Sequence, residues 1–380
     1  MRQALRAAEL DALVCCLPEN IVLLTGHWLK NNFGFVVFTA TGEIGLIVAE
    51  PEEEHLGTHW ATHVTLFPWG AWDGPPPVDS VSKLLPELAG SCGVTDGRLG
   101  FEGSFEAVAP GYNAAEAISF SRKTETLLQS ALPKARWSDA TDLLEDQRAQ
   151  KTPYEIERLR LANEVAGLGL ETFHEVATPG RSEAEVAAAV EATIYGQGTG
   201  YRGQVRHARG WAQVMSGLNT ARAWAPSDFS TSRKLAAGDL VLIELATVAD
   251  GYWSDLTRMH VVGPPNERQR EILEIVQQAH QAGVAACRAG SEAGSVDQAA
   301  RQVIEDRGYG KSFPHFTGHG VGFRYHENKP ILSPQNQEPL KPGMVVTVEP
   351  GIYLDNLGGI RLESNVLATA AGGERLDRLP

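Results

Sequence analysis

Three short segments of the chain hold the side chains best suited to chemistry. The richest, 314–327, places His315, His319 and His326, three of the eleven histidines, within twelve positions. Gly318 and Gly320 flank His319, which would let the backbone take unusual angles and leave the ring unobstructed. Alone, this segment reads equally as a Gly-rich loop with surface histidines. The second segment, 239–258, carries Glu244 and Asp255 on two strand-like runs. A four-residue loop at 248–251 would set them opposite each other on one face of a hairpin. Opposed carboxylates repel, so a fold that keeps both needs a proton or a cation between them, unless both face solvent. Glu244 lies inside the apolar run 240–245, which disfavours the solvated version. In the third segment Glu349 ends an apolar strand just before Pro350-Gly351, an awkward place for a charge. Glu363 follows Arg361 by two residues, on the same face of a strand; its alternative is a salt bridge to a neighbouring arginine.

Together these make four carboxylates and one imidazole. Two divalent cations would balance the four negative charges, and an oxygen-rich set with one nitrogen suits Mn, Co or Zn. Two bridged ions turn a water into hydroxide near neutral pH, which is hydrolase machinery.

The elements that must position these residues fall into two parts. Residues 1–144 alternate short strands and helices, with apolar runs at 12–17, 35–38 and 44–48. The last two are joined by Thr41-Gly42 as in a hairpin. Pro75-Pro76-Pro77 reads as a loop and 80–88 as a short helix. This part is α/β and holds no chemical constellation. A polar stretch at 145–151 opens the second part, 145–380. Thr152-Pro153-Tyr154-Glu155 is a capping box with proline at the first helical position. The helix after it places Leu159, Ala162, Ala166, Leu170 and Phe173 on one face. Ser182-x-x-Glu185 caps a second helix. About 113 residues later the pattern recurs, with Ile272, Ile275, Ala279 and Ala286 on one helix and Ser295-x-x-Gln298 capping the next. Two such pairs, each followed by strands, point to an internally duplicated α+β domain.

The order and spacing of these motifs resemble the pita-bread metallopeptidases, the family of methionine aminopeptidase, aminopeptidase P, prolidase and creatinase. That family's metal ligands run Asp, Asp, His, Glu, Glu. Here Asp255 stands in Asp255-Leu256-Thr257-Arg258, His319 in Gly318-His319-Gly320-Val321-Gly322, Glu349 in Glu349-Pro350-Gly351-Ile352-Tyr353 and Glu363 in Ile360-Arg361-Leu362-Glu363. The resemblance covers essentially the whole chain. Pro18-Glu19-Asn20-Ile21, Leu24-Thr25-Gly26 and Lys151-x-x-x-Glu155-Ile156 look like the prolidase and aminopeptidase P branch. It implies an α+β pita-bread catalytic domain at 145–380 behind a smaller α/β creatinase-like domain at 1–144. It also implies hydrolysis of the Xaa-Pro bond of dipeptides by a metal-bridged hydroxide, in a homodimer.

By the same resemblance Glu349 shuttles the proton, His326 hydrogen-bonds the substrate carbonyl, His315 lines the proline pocket, and Arg361 touches substrate or orients Glu363. Alternatives are an aminopeptidase P acting on longer Xaa-Pro peptides, or a non-peptidase or binding protein on the creatinase scaffold. Methionine aminopeptidase is disfavoured, because the leading domain would crowd a protein N-terminus.

Two positions depart from the family. Glu244 replaces the first metal aspartate, and its extra methylene moves the carboxylate by ~1.5 Å, so the second of the two expected ions should bind weakly. Trp224, at the end of the segment 216–224, stands where prolidase-like proteins have a substrate-contacting histidine. It offers a flat apolar wall and one N–H donor to substrate, and cannot take over a histidine's role. Arg222 could supply a cation near it.

The bulk composition narrows the partners. A formal charge of −14 argues against nucleic acid and anionic membranes, both of which reward Lys/Arg patches. No stretch approaches eighteen apolar residues, and the N-terminus is a poor signal peptide. Cys15, Cys16, Cys92 and Cys287 show no metal-ligand spacing and read as free thiols in a reducing cytoplasm. The expected partner is a small peptide substrate.

Overall fold

The structure, a computed structural model, describes residues 1–30, 33–69, 74–104, 122–225 and 229–377. The chain divides into two compact units, with the change falling between Arg148 and Ala149. The first unit contains α1 (Arg2–Ala7), β1 (Ala12–Cys15), α2 (Pro18–Thr25), β2 (Phe35–Thr39), β3 (Ile44–Ala49), β4 (His63–Phe67), α3 (Pro77–Ser91), β5 (Gly97–Phe101), α4 (Arg122–Ala131), β6 (Ala135–Asp139) and α5 (Thr141–Ala149). Among the described residues six strands form one sheet in the order β4-β3-β2-β1-β5-β6, in which β2 is antiparallel to both β1 and β3 and the remaining pairs are parallel.

Side-chain alternation explains why these strands read as unbroken apolar runs. Val14, Phe35, Val37 and Ile47 face the core under α3 and α4, while Leu13, Val36, Leu46 and Val48 face the core under α1 and α2. Both faces are covered, so neither can be polar. The hairpin expected at Thr41-Gly42 joins β2 and β3. The helix expected over 80–88 runs from Pro77 to Ser91. Pro77 sits in its first turn, where a missing N–H costs nothing, so part of the expected loop is helix.

The polar run 145–151, where the second part was expected to open, is the end of α5 and the start of the next unit. Three of its polar members, Glu145, Arg148 and Lys151, are buried, while Asp146 and Gln150 are exposed. Arg148 donates to the Asn20 side chain within the first unit.

The second unit repeats one order, two helices followed by antiparallel strands. α6 (Pro153–Val176) and α7 (Glu183–Thr193) precede β7 (Ala208–Ser216), β8 (Leu240–Ala249) and β9 (Tyr252–Val261). α8 (Glu267–Ala286) and α9 (Ala293–Asp306) precede β10 (Gly318–Gly320), β11 (Glu327–Leu332), β12 (Val345–Val348), β13 (Gly351–Leu354), β14 (Gly358–Arg361), β15 (Ser364–Thr369) and β16 (Gly372–Arg375). Both capping boxes expected before α6 and α7 form. Leu159, Ala162, Ala166, Leu170 and Phe173 are all buried, as their spacing requires. Ser295 does not cap α9. That helix starts three residues earlier, with Glu292 at the N-cap position, and the Ser295 hydroxyl bonds back to the Glu292 carbonyl. The capping box of this half is Asn266 with Gln269, at the head of α8.

Candidate metal centre

The hairpin of β8 and β9 turns through Asp250-Gly251 alone, both residues in the left-handed region (φ 48° and 87°), as a two-residue type I′ turn requires. The four-residue loop expected at 248–251 is therefore replaced by a tighter one. Glu244 lies opposite Thr257, and Asp255 opposite Ala246. The shift is two residues, and side chains alternate with period two, so Glu244 and Asp255 keep one face as diagonal neighbours. Asp250 is held by the backbone N–H groups of Arg206 and His207 and by the Arg158 guanidinium at 2.7 Å.

The other residues arrive from the sheet of β10, β12 and β15 and from β14. His319 is the middle residue of β10, and Glu349 follows β12. Arg361 ends β14, and Glu363 lies between β14 and β15. The glycines around His319 serve close approach rather than unusual φ. A Cβ at Gly318 would lie 1.9 Å from the Thr347 carbonyl oxygen, and one at Gly320 2.3 Å from that of Lys329. Only Gly322 in this motif has positive φ (151°).

Ligand-type atoms of Asp255, His319 and His326 lie within 4.8 Å of one another, as do those of His319, Glu349 and Glu363, and those of Glu244, Asp255 and Glu363. The His319 Nδ1 faces the Gly320 carbonyl at 2.9 Å, which places the proton there and leaves Nε2 with a bare lone pair. That Nε2 lies 3.5 Å from Asp255 Oδ2 and 3.6 Å from Glu349 Oε1. Asp255 Oδ1 and Glu363 Oε1 are buried with no hydrogen-bond partner among the described residues. Acceptors converging without donors are what a cation satisfies, so the residues fit a divalent metal.

Electrostatics point the same way. Burial first, then the charges of Glu363, Glu244 and Glu349, push the Asp255 carboxyl well above its ordinary range. Burial and the charges of Glu244 and Glu349 do the same to Glu363. Burial is also the main cause that raises Glu349 to about 8, with Glu244 adding to it against Arg361. Burial and the neighbouring His326 lower His319 to about 3, which keeps it neutral and able to donate its lone pair. Glu244 goes the opposite way. Burial works to raise it, but Arg361, Thr257 and Tyr325 outweigh that and hold it at about 2.

Several residues that sequence reasoning did not single out organise the centre. The Thr257 hydroxyl stands 2.6 Å from both Glu244 Oε2 and Glu363 Oε2 and accepts from Arg361 Nε at 2.9 Å. It has one proton for two carboxyls, which a protonated Glu363 resolves by donating to Thr257. Tyr325 donates to Glu244, and Arg361 also reaches Glu244. Asn365 clamps the Asp255 backbone from both sides, at 3.1 and 2.8 Å. Thr347 accepts from the His319 N–H and donates to Glu349 Oε1. Arg258 bonds the Glu363 backbone carbonyl and forms an ion pair with Asp377. Of these, only Thr257 and Arg258 sit inside a recognisable motif.

His315 and His326 take different positions. The Tyr353 hydroxyl links His315 Nε2 (3.0 Å) to Arg361 Nη1 (3.1 Å), and burial followed by the Arg361 charge lowers His315 to about 3. The His326 ring lies 4.4 Å from both the His319 and Tyr325 rings, centroid to centroid. Trp224 is 49% exposed, and the carbonyl of the preceding Ala223 accepts from Arg361 at 2.7 Å. Arg222, the cation expected near Trp224, ends a 3₁₀ helix, Gly217–Arg222.

Known proteins resemble this chain in sequence and in fold. Metallopeptidase family M24 matches residues 157–370, and the creatinase/prolidase N-terminal domain matches residues 1–150. The Xaa-Pro dipeptidase of Pyrococcus furiosus is 40% identical over 237 residues, which span 62% of this chain and 65% of that protein. That of Pyrococcus horikoshii is 33% identical over 312 residues, 79% of this chain and 84% of that one. Among solved structures, the prolidase from Pyrococcus furiosus superposes with a TM-score of 0.77 at 30% identity, covering 100% of both chains. The X-Pro aminopeptidase from Thermotoga maritima gives 0.80 at 25% identity, covering 100% of this chain and 98% of that one. The chain belongs to metallopeptidase family M24, on its prolidase and aminopeptidase P branch, with a pita-bread catalytic domain behind a creatinase-type N-terminal domain.

Proposed function

We propose that this protein hydrolyses the Xaa-Pro bond of dipeptides at a metal centre held by Asp255, His319, Glu349 and Glu363, with Glu244 as the ligand of a second, weaker position. The observation that carries this is the set of unshared acceptors, Asp255 Oδ1, Glu363 Oε1 and His319 Nε2, converging in one buried cluster. The metal is Mn, Co or Zn, the choices that suit oxygen ligands with one nitrogen. A bound divalent ion supplies Lewis-acid activation of water and of the scissile carbonyl.

The chain's own residues do the rest. Glu349, buried beside His319, is the carboxylate placed to pass a proton between nucleophile and leaving nitrogen. His326, beside His319, donates to the carbonyl oxygen as charge develops on it. His315, kept neutral, presents an uncharged ring to proline, and Trp224 adds a flat apolar wall. Arg361 holds Glu244, Thr257 and Tyr353 in register. The likeness to the Thermotoga maritima X-Pro aminopeptidase favours a second reading, action on longer Xaa-Pro peptides. The same assignment carries a homodimer and a cytoplasmic setting, the latter supported by four free cysteines. A panel of Xaa-Pro and Xaa-Pro-Yaa peptides assayed with Mn, Co and Zn tests it. Cleavage of the dipeptides alone supports the dipeptidase, cleavage of the longer series supports the second reading, and cleavage of none removes both.

A further inference from the structure

The acceptors of the metal centre are not equally available. Asp255 Oδ1 and Glu363 Oε1 lack hydrogen-bond partners among the described residues, whereas both oxygens of Glu244 are committed. Oε1 accepts the Tyr325 hydroxyl, and Oε2 accepts from Thr257 (2.6 Å) and Arg361. Glu244 is 8% and Tyr325 1% exposed, so water cannot readily replace these donors. Of the three ligand groupings, only Glu244–Asp255–Glu363 needs Glu244.

A cation approaching the Glu244 corner meets a carboxylate already paired with a guanidinium and hydrogen-bonded by a phenol. One approaching His319, Glu349 and Glu363 meets lone pairs. Binding at the first place competes with charge-assisted hydrogen bonds, the strong class, at both Glu244 oxygens, while binding at the second meets no such competition at Asp255 Oδ1 or Glu363 Oε1.

We propose that the Tyr325 hydroxyl, acting with Arg361, holds Glu244 away from metal and makes this a one-ion centre at ordinary metal concentrations, with Tyr325 setting the weakness of the second position. This rests on the metal-centre reading above. It assigns the asymmetry to a side chain 81 residues from Glu244 rather than to the extra methylene of glutamate. Tyr325 is a positioning residue: it acts on the second ion through Glu244.

The test is Mn(II) stoichiometry and EPR on the full-length chain, stripped with chelator and titrated with Mn(II), for wild type, Tyr325→Phe and Glu244→Gln. Phenylalanine keeps the ring that packs against Trp253 and His326 and removes only the hydroxyl. Wild type should take up one tight ion with an uncoupled six-line spectrum. Tyr325→Phe should bind a second ion at least tenfold more tightly than wild type and show the exchange-coupled signal of a pair. Glu244→Gln should retain the first ion with affinity within about threefold, which keeps the idea falsifiable if Tyr325→Phe misfolds. Two equally tight ions in wild type, an unchanged second-site affinity in Tyr325→Phe, or loss of the first ion in Glu244→Gln would each overturn the inference and leave the metal centre standing. No bound ion in any variant would overturn the metal-centre reading itself.

Discussion

Lys151 and Glu327 form a buried ion pair at 2.6 Å, with side chains 0% and 4% exposed. Glu327 also accepts the Phe323 N–H at 2.8 Å, so the pair anchors the loop between His319 and His326 to the head of the second unit. Replacing Lys151 by Met keeps most of the stem that packs under Gly322 and removes the charge. Glu327 is then buried without its cation, and breaking a buried pair in this way costs about 3–5 kcal/mol. In a unit of this size that lowers Tm by about 6–20 °C. Thermal and urea unfolding of wild type, Lys151→Met, Glu327→Gln and the double variant measure both the cost and the coupling. The double variant should cost no more than the worse single, because removing both partners strands no charge. A single-variant cost under about 1 kcal/mol, or strict additivity of the two, would refute the assignment of this pair as an anchor.

Two further perturbations probe the centre. In the metal-free protein, Glu349 is raised from 4.5 to about 8. The folded state therefore keeps a proton the unfolded state loses, and its stability contribution is full below about 4.5 and lost as pH rises to about 8. Glu349→Gln should gain on wild type across that window by up to about 1.4 kcal/mol per pH unit in urea unfolding; a pH-independent difference would contradict the shift. Gly318→Ala, whose Cβ would lie 1.9 Å from a backbone oxygen of β12, should cost more than about 4 kcal/mol. Gly290→Ala, with nothing within 4 Å but φ 93°, should cost only about 1–2 kcal/mol. Melting temperatures of the two variants check the contrast, and equal losses would argue against it.

What could be read ahead of the structure was set by local chemistry. The capping boxes at Thr152 and Ser182 satisfy orphan N–H groups three residues away, so sequence spacing alone exposes them. The same rule misplaced the start of α9, because Ser-x-x-Gln also fits inside a first turn. The hairpin was found but its loop overcounted: Ala249 looked like loop, while Asp250 and Gly251 adopt left-handed φ and close the turn by themselves. The motifs around Asp255, His319, Glu349 and Glu363 were legible because Gly and Pro punctuate them. The partners that tune them were not. Tyr325 on Glu244, Asn365 on Asp255 and Lys151 on Glu327 join residues 81, 110 and 176 positions apart, and no local pattern encodes such pairings. The glycines beside His319 were noticed for the wrong reason, since neighbouring carbonyls rather than φ demand them.

The metal centre is tested most directly by anomalous scattering from crystals of the protein soaked in Mn(II), collected on both sides of the manganese edge. The account predicts a strong peak bounded by Asp255, His319, Glu349 and Glu363, and at most a weak one beside Glu244. No peak among those four residues, or the stronger peak at Glu244, would contradict it.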